Sequence, residues 1–409
     1  MIRFVLADLR RHRVGAALIV LLITLAVAIG VGVTLQERAL RLGSARAADK
    51  FDLIVGAPGS ETQLVLSSVF LQPAALPLLP GEMLERLAAD PRVAWAAPLG
   101  FGDFHEDHPV IGTTTTLITN TAPGFLAGRM FADGHEAVVG AHVPLDPGAE
   151  FSPTHGRLAE GGHAHEEANY HVTGKLEPTG TAWDRAILVP IRSVWEVHGL
   201  GEAPHDHGDD HHHADTHSGH ELGEHWHPGE TPPVPAILVK PRTIADAYRL
   251  RQEYRADPQT MAVFPGEVLT SLYATLGDAK RVLSVVAGAT QALVAAALLL
   301  VTVMHVGQRQ RQIGALRAFG APRAAVFGIV WVELFALVVT GILLGHALGY
   351  LAAKLISRSF AAQNGFALPV GFAAGDGARL VLLCIFAVLL SGIPAWLAYR
   401  QSPVAALRS

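Results

Sequence analysis

Four long apolar stretches interrupt this chain, and one large mixed region separates the first from the other three. The first covers residues 14–35 and contains GAALIVLLITLAVAIGVGVTL, a run of about 21 residues without charge, enough to cross about 30 Å of hydrocarbon. The others cover 281–306, 324–353 and 379–399. They carry Gly, Ala and a few polar residues, as expected where helices pack on helices. The pattern predicts four transmembrane helices. The Ala45-Arg46-Ala47 triplet looks like a leader cleavage site, but it lies well past the apolar core and beyond Glu37, Arg38 and Arg41. An uncleaved anchor is therefore expected.

The region 36–280 shows shorter periodicities. Phe51 to Val55, Ala137 to Val139, Tyr170 to Gly174, Ala186 to Pro190 and Ala236 to Lys240 read as strands, being apolar and β-branched with Gly and Pro near their ends. Gly81 to Ala89, Ile191 to His198 and Ala245 to Arg255 read as helices. The first is bracketed by Pro80-Gly81 and Asp90-Pro91. The prediction is an α+β domain between helices 1 and 2, carried on stalks at 36–48 and 266–281.

Charge decides the orientation. Arg3, Arg10, Arg11 and Arg13 precede the first stretch, Arg309, Arg311, Arg317 and Arg323 lie between the second and third, and Arg400 and Arg408 follow the fourth. With four spans these groups share one side, which should be the cytoplasm of a bacterial inner membrane, with both termini inside. The connector 354–378 is then extracytoplasmic, although Lys354, Arg358 and nearby Arg379 run against the rule. Residues 1–13 form a cytoplasmic amphipathic segment that either lies along the inner surface or extends the first helix. The tail is 400–409. Charged residues make up only 16% of the chain, and the net charge of −5 gives no reason to expect nucleic acid. The single cysteine, Cys384, excludes an internal disulfide and any CxxC site.

Histidine changes the picture. Eighteen of the 21 lie between His105 and His227. Nine fall in the run His205, His207, His211, His212, His213, His217, His220, His225 and His227, interleaved with Asp206, Asp209, Asp210, Asp215, Glu221 and Glu224. A smaller group is His155, His163, His165 and His171 beside Glu166 and Glu167. Neutral imidazole ligates zinc, copper and nickel, and interleaved carboxylates concentrate cations. With no apolar period and several glycines, residues 205–227 read as a loop with interchangeable ligands, zinc first. The bland alternative is a solvated low-complexity insertion. No nucleophile elbow, HExxH or GxxxxGK[ST] occurs, so no catalytic residues are assigned, no cofactor is expected to be permanently bound, and ATP could act only through a partner subunit.

Between the second and third stretches lies RQRQIGALRAFGAPRAAVFGIV, from Arg309. Its Arg311, Ile313, Gly314, Leu316, Arg317, Ala318, Gly320 and Ala321 resemble the cytoplasmic signature of the FtsX-like permease family, which includes MacB-type and LolC/LolE-type permeases. Gln312 stands where an acid is common. Glu333, Gly341 and Gly345, and the ending with Pro403, Ala406, Leu407 and Arg408, are similar to that family too. So are Gly128-Arg129-Met130-Phe131, Val172 to Thr181 and Ala186 to Pro190, which resemble the MacB-type periplasmic core.

The resemblance implies an ABC permease of the mechanotransmission class: a homodimer docked on a separate ATPase, moving its external domain rather than opening a conduit. Residues 307–323 would form the coupling helix. Arg309, Arg311, Ile313, Gly314, Leu316, Arg317, Phe319 and Gly320 would contact the ATPase, with Ile313, Leu316 and Phe319 able to form one apolar stripe. Glu333 would serve coupling inside the membrane, where an ionisable group faces protein or water. With the histidine run added, the expected function is a zinc-linked transport system acting with a periplasmic metal-binding protein or lipoprotein. Lipoprotein release or peptide or small-molecule export without a metal role, and a non-transporting regulator of a periplasmic partner, are the alternatives. A secondary metal transporter would need His and Asp pairs within its spans, and His346 alone is a poor substitute.

Overall fold

The computed structural model describes residues 10–11, 13–155, 163–164, 169–200, 226, 229–275, 320–365 and 368–400. The chain divides into two compact units: Met1–Leu40, Leu276–Arg358 and Pro369–Ser409 in one, Arg41–Thr275 and Ser359–Leu368 in the other. The second unit is sheet-rich and the first is helical.

In chain order, the elements begin with α1 (Arg13–Ala48), β1 (Leu53–Gly56), α2 (Glu61–Phe70), α3 (Gly81–Ala89), β2 (Val93–His105), β3 (His108–Thr113) and α4 (Thr115–Thr121). There follow β4 (Phe125–Gly128), β5 (Glu136–Val139), β6 (Glu150–Phe151), β7 (Thr154–His155), β8 (His163–Ala164), β9 (Tyr170–Leu176), β10 (Ile187–Pro190) and α5 (Ile191–Val197). Then come β11 (Ala236–Pro241), α6 (Ile244–Ala256), β12 (Met261–Val263), α7 (Arg323–Asn364) and α8 (Ala374–Arg400). Residues 265–275 are also helical.

The sheet runs β12-β1-β11-β2-β3-β10-β5-β9-β4. Its neighbours are antiparallel except β3 with β10 and β5 with β9. Successive side chains of a strand point to opposite faces, and here both faces of the central strands are covered. Ile54 and Leu238 join the cluster that holds Leu64, Val65 and Val69 of α2. Leu53, Val55, Ile237 and Val239 join the one that holds Met83, Leu84 and Leu87 of α3. This two-sided burial explains why LIVG and AILVKP are almost continuously apolar instead of alternating.

Local chemistry fixes the helix starts and turns. Ser60 Oγ accepts from Gln63 N at the start of α2, and Thr243 Oγ1 accepts from Asp246 N at the start of α6, at 3.3 and 3.1 Å. The segment 179–184 is organised by a buried carboxylate. Asp184 accepts from Thr179 N at 2.6 Å, Thr179 Oγ1 at 2.6 Å and Gly180 N at 2.8 Å.

Three described helices are long and apolar enough to cross a membrane: Arg13–Ala48, Ala324–Asn364 and Ala374–Ile393. The stretch expected to span at 281–306 lies outside the described residues, as do 1–9 and 401–409. Two helices extend beyond the apolar stretches that marked them, the first being that of the third stretch. Its helix continues through KLISRSFAAQN, which has neither Gly nor Pro, and breaks at Gly365, whose φ of +78° is a left-handed helix-end conformation. The fourth helix starts at Ala374 rather than 379, because Asp376 accepts from Ala373 N at 2.8 Å in its first turn. Little of the connector 354–378 is therefore loop. The segment 36–48, read as a stalk, is the unbroken continuation of α1.

Within the helical unit, α1 and α7 meet along small residues. A Cβ at Gly341 would lie 2.7 Å from Ile23 Cβ, and one at Gly345 would lie 2.6 Å from Val27 Cβ and 2.8 Å from Thr24 O. At Gly349 it would lie 2.7 Å from Ala28 O. Glycine every fourth residue makes a groove on α7 that lets two backbones approach closely. Thr24 Oγ1 donates to Gly341 O at 3.3 Å. Arg38 and Asp376 form a two-pronged ion pair at 2.6 and 3.0 Å, joining α1 to the start of α8.

Candidate functional site

The residues expected to contact an ATPase, Arg309, Arg311, Ile313, Gly314, Leu316, Arg317 and Phe319, lie outside the described residues. Gly320 is described and takes a positive φ of +91° just before α7. Glu333 is buried on α7, and it is not isolated there. His346 Nδ1 donates to Ile342 O one turn earlier, at 3.0 Å, the helix-internal contact expected of a packing residue. The tract histidines His205, His207, His211, His212, His213, His217, His220, His225 and His227 all lie outside the described residues, as does His165. His171 is exposed on β9.

One cluster of metal-ligating side chains does stand among the described residues: Asp103, His155 and His198, each with a ligand atom within 4.8 Å of the others. Three features of the sheet unit assemble it. The first is an irregularity in β2. Gly100 pairs with Gly112 and Asp103 with Val110, so β2 takes three steps where β3 takes two. This extra residue is a β-bulge, and Gly102 within it has φ +138°. A bulge re-aims the side chain that follows, here Asp103, whose carboxylate is only 5% exposed.

The second feature is the short strand β7, which pairs with β2 and places His155 opposite Asp103. Thr154 Oγ1 donates to Phe104 O at 3.0 Å and fastens the strand there. His155 Nδ1 lies 3.4 Å from Asp103 Oδ1.

The third feature is the seat of α5. A Cβ on Gly100 would lie 2.9 Å from Ile191 Cδ1, and one on Gly112 2.6 Å from Val194 Cγ2. Two facing glycines thus leave a hollow in the sheet that Ile191 and Val194 fill. The helix is held close, and His198, the residue that ends it, comes to rest over β2. His198 Nδ1 donates to Val194 O at 2.8 Å, and Nε2 lies 3.6 Å from Asp103 Oδ1. A carbonyl oxygen can only accept, so in the neutral ring the lone pair sits on Nε2 and faces the carboxylate. The two imidazoles meet edge to face, with centroids 5.4 Å apart.

Tyr170 is stacked on Phe151 at 5.5 Å. Burial, and then the charge of Asp103, push its phenol up, so the hydroxyl stays protonated across the physiological range. His108, across the β2–β3 turn, is separate. Its Nδ1 donates to Arg185 O at 3.0 Å, and burial pushes its pKa down.

Part of this cluster is legible in the sequence. His155 belongs to the smaller histidine group and His198 ends a predicted helix, but Asp103 was not singled out. The three are distant in sequence and belong to no ligand-spacing motif. The available signal was the glycine-rich GFGD at residues 100–103, where repeated glycines in an apolar stretch mark a bulge.

Over residues 284–404 the chain matches the FtsX-like permease C-terminal family. No curated protein matches it. Among solved structures it is similar to the extracellular domain of the noncanonic ABC-type transporter YknZ from Gram-positive bacteria. The identity is 11% and the TM-score 0.30, over 52% of this chain and 98% of that one.

Proposed function

We propose that this chain, whose residues 284–404 are an FtsX-like permease C-terminal region, is the membrane subunit of an ABC-type assembly that couples ATP hydrolysis in a separate subunit to its sheet-rich domain outside the cytoplasm. The family match carries this reading. It contains the 309–323 segment, and a short basic segment with an apolar stripe at Ile313, Leu316 and Phe319 is what docking on a motor protein requires. The chain lacks a phosphate-binding loop, so the ATPase must be another subunit. Orientation with both termini in the cytoplasm follows from the arginine distribution. The assembly acts as a homodimer, and Glu333 contributes to helix coupling. The cargo is metal-linked, zinc first, on the strength of the 205–227 tract.

The test is co-purification. The triple variant I313D/L316D/F319D should insert normally and lose its ATPase partner in pull-down from detergent. Normal recovery of the ATPase would overturn the docking role. Zinc uptake that is the same with and without residues 205–227 would favour lipoprotein release, export of a small molecule or regulation of a periplasmic partner over metal-linked transport.

A further inference from the structure

We infer that Asp103, His155 and His198 form a binding site for one divalent first-row transition metal ion, a fixed site separate from the histidine tract. The geometry is the first argument. Zinc bonds to imidazole nitrogen and carboxylate oxygen are about 2.0–2.2 Å long, so tetrahedral ligands stand roughly 3.3–3.6 Å apart. Asp103 Oδ1 lies 3.4 Å from His155 Nδ1 and 3.6 Å from His198 Nε2. An ion can sit within reach of all three without rearranging the backbone.

The chemistry of the donors is the second argument. His198 spends its Nδ1 proton on Val194 O, which fixes the ring and turns the Nε2 lone pair toward Asp103 Oδ1. Metal-bound histidines are commonly held this way, by donating the other ring nitrogen to a backbone carbonyl. Two neutral imidazoles and one carboxylate suit zinc, copper or nickel and disfavour magnesium or calcium, which prefer all-oxygen shells.

Position is the third argument. The carboxylate is buried at the sheet while the His155 side chain is 58% exposed, so the cluster opens to solvent on the His155 side. Three protein ligands leave a fourth position for water or an incoming ligand, the composition of an exchangeable rather than a closed structural site. The three residues lie on β2, β7 and the end of α5, so a bound ion would tie the short strand β7 and the helix to β2.

The inference goes beyond the permease reading, because it concerns residues outside both the tract and 284–404, and the two can fail separately. The test uses full-length protein in detergent with residues 205–227 deleted, so that tract ligands do not mask the site. Zinc titration by calorimetry should then give one equivalent per chain, and cobalt should give the intense visible bands of a four-coordinate site. His155→Ala and His198→Ala each remove a ligand and should weaken binding by at least roughly tenfold, the lower end of the loss for an outer-shell partner. Asp103→Asn, which keeps shape, should weaken it and shift the cobalt spectrum. Zinc should raise the melting temperature of the tract-deleted parent and not that of the variants, while metal-free melting of His155→Ala stays near the parent's. If the tract-deleted protein takes up no zinc or cobalt, or if all three variants bind as the parent does, the cluster is a histidine–carboxylate contact and the inference falls. Normal recovery of the ATPase by the I313D/L316D/F319D variant, with zinc binding intact, would count against the permease reading alone.

Discussion

The two units hold themselves together by different means. In the helical unit the contact between α1 and α7 depends on what is missing: side chains at Gly341, Gly345 and Gly349. In the sheet unit order depends on what is present and satisfied: apolar layers on both faces of the central strands, and buried polar groups such as Asp184 with its donors supplied. The difference follows from solvent. Lipid gives no hydrophobic drive for one helix to join another, so close approach and shape must do it. In water, burial drives assembly, and the danger is a polar group left without a partner.

This contrast can be tested within one protein. The six tryptophans divide by unit, with Trp95, Trp183, Trp195 and Trp226 in the sheet unit and Trp331 and Trp396 in the helical one. Replacing either set by phenylalanine gives a reporter for the other. The largest effect is expected at Asp184. Asp184→Ala strands Thr179 N and Gly180 N and should cost roughly 3 kcal/mol, lowering the melting midpoint seen by the sheet tryptophans. An equal shift in the helical reporter would mean that the units unfold as one and would break the comparison.

Next is Gly345→Leu, whose side chain would drive into Val27 and the Thr24 carbonyl. A cost of about 2 kcal/mol is expected in the helical reporter, with Gly345→Ala milder. A neutral outcome would show that small residues are not what joins α1 to α7.

The smallest effect is a pH dependence confined to the sheet unit. His108 is buried and its folded pKa is depressed, so the unfolded chain takes up its proton first. The stability it contributes is complete above the unfolded value, about 6.5, and is lost as pH falls from there toward the folded pKa. Denaturant midpoints of the sheet reporter should decline below about pH 6.5, and His108→Gln should flatten that limb. An unchanged limb in the variant would assign the decline to other groups.

How legible each part was in the sequence follows the same physics. Strands buried on both faces, such as Ile187–Pro190 and Ala236–Pro241, stand out as short apolar runs, and Gly81–Ala89 is marked by its flanking prolines. The longest described strand, Val93–His105, has no such signature. It contains Pro98, Gly100 and Gly102, and its burial does not alternate, because it pairs with β11 in its first half and with β3 and β7 in its second. The cluster around Asp103 is hidden for the same reason: the glycines of GFGD hint at a bulge, but which side chain it re-aims and what stands opposite depend on the pairing of β2 with β3 and β7. Apolar helices announced themselves by hydropathy, but their ends did not, since helix-forming polar sequence carried α1 and α7 past the stretches that first marked them.

The facing glycines of β2 and β3 bear on how this protein's relatives should be compared. Gly100 and Gly112 touch no ligand atom, yet the hollow they leave decides where α5 rests and so where His198 stands. A relative that kept Asp103, His155 and His198 but carried valine at the position of Gly112 would have all three ligand types and lack their arrangement. Inheritance of the cluster is therefore to be judged on five positions, two of which have no side chain.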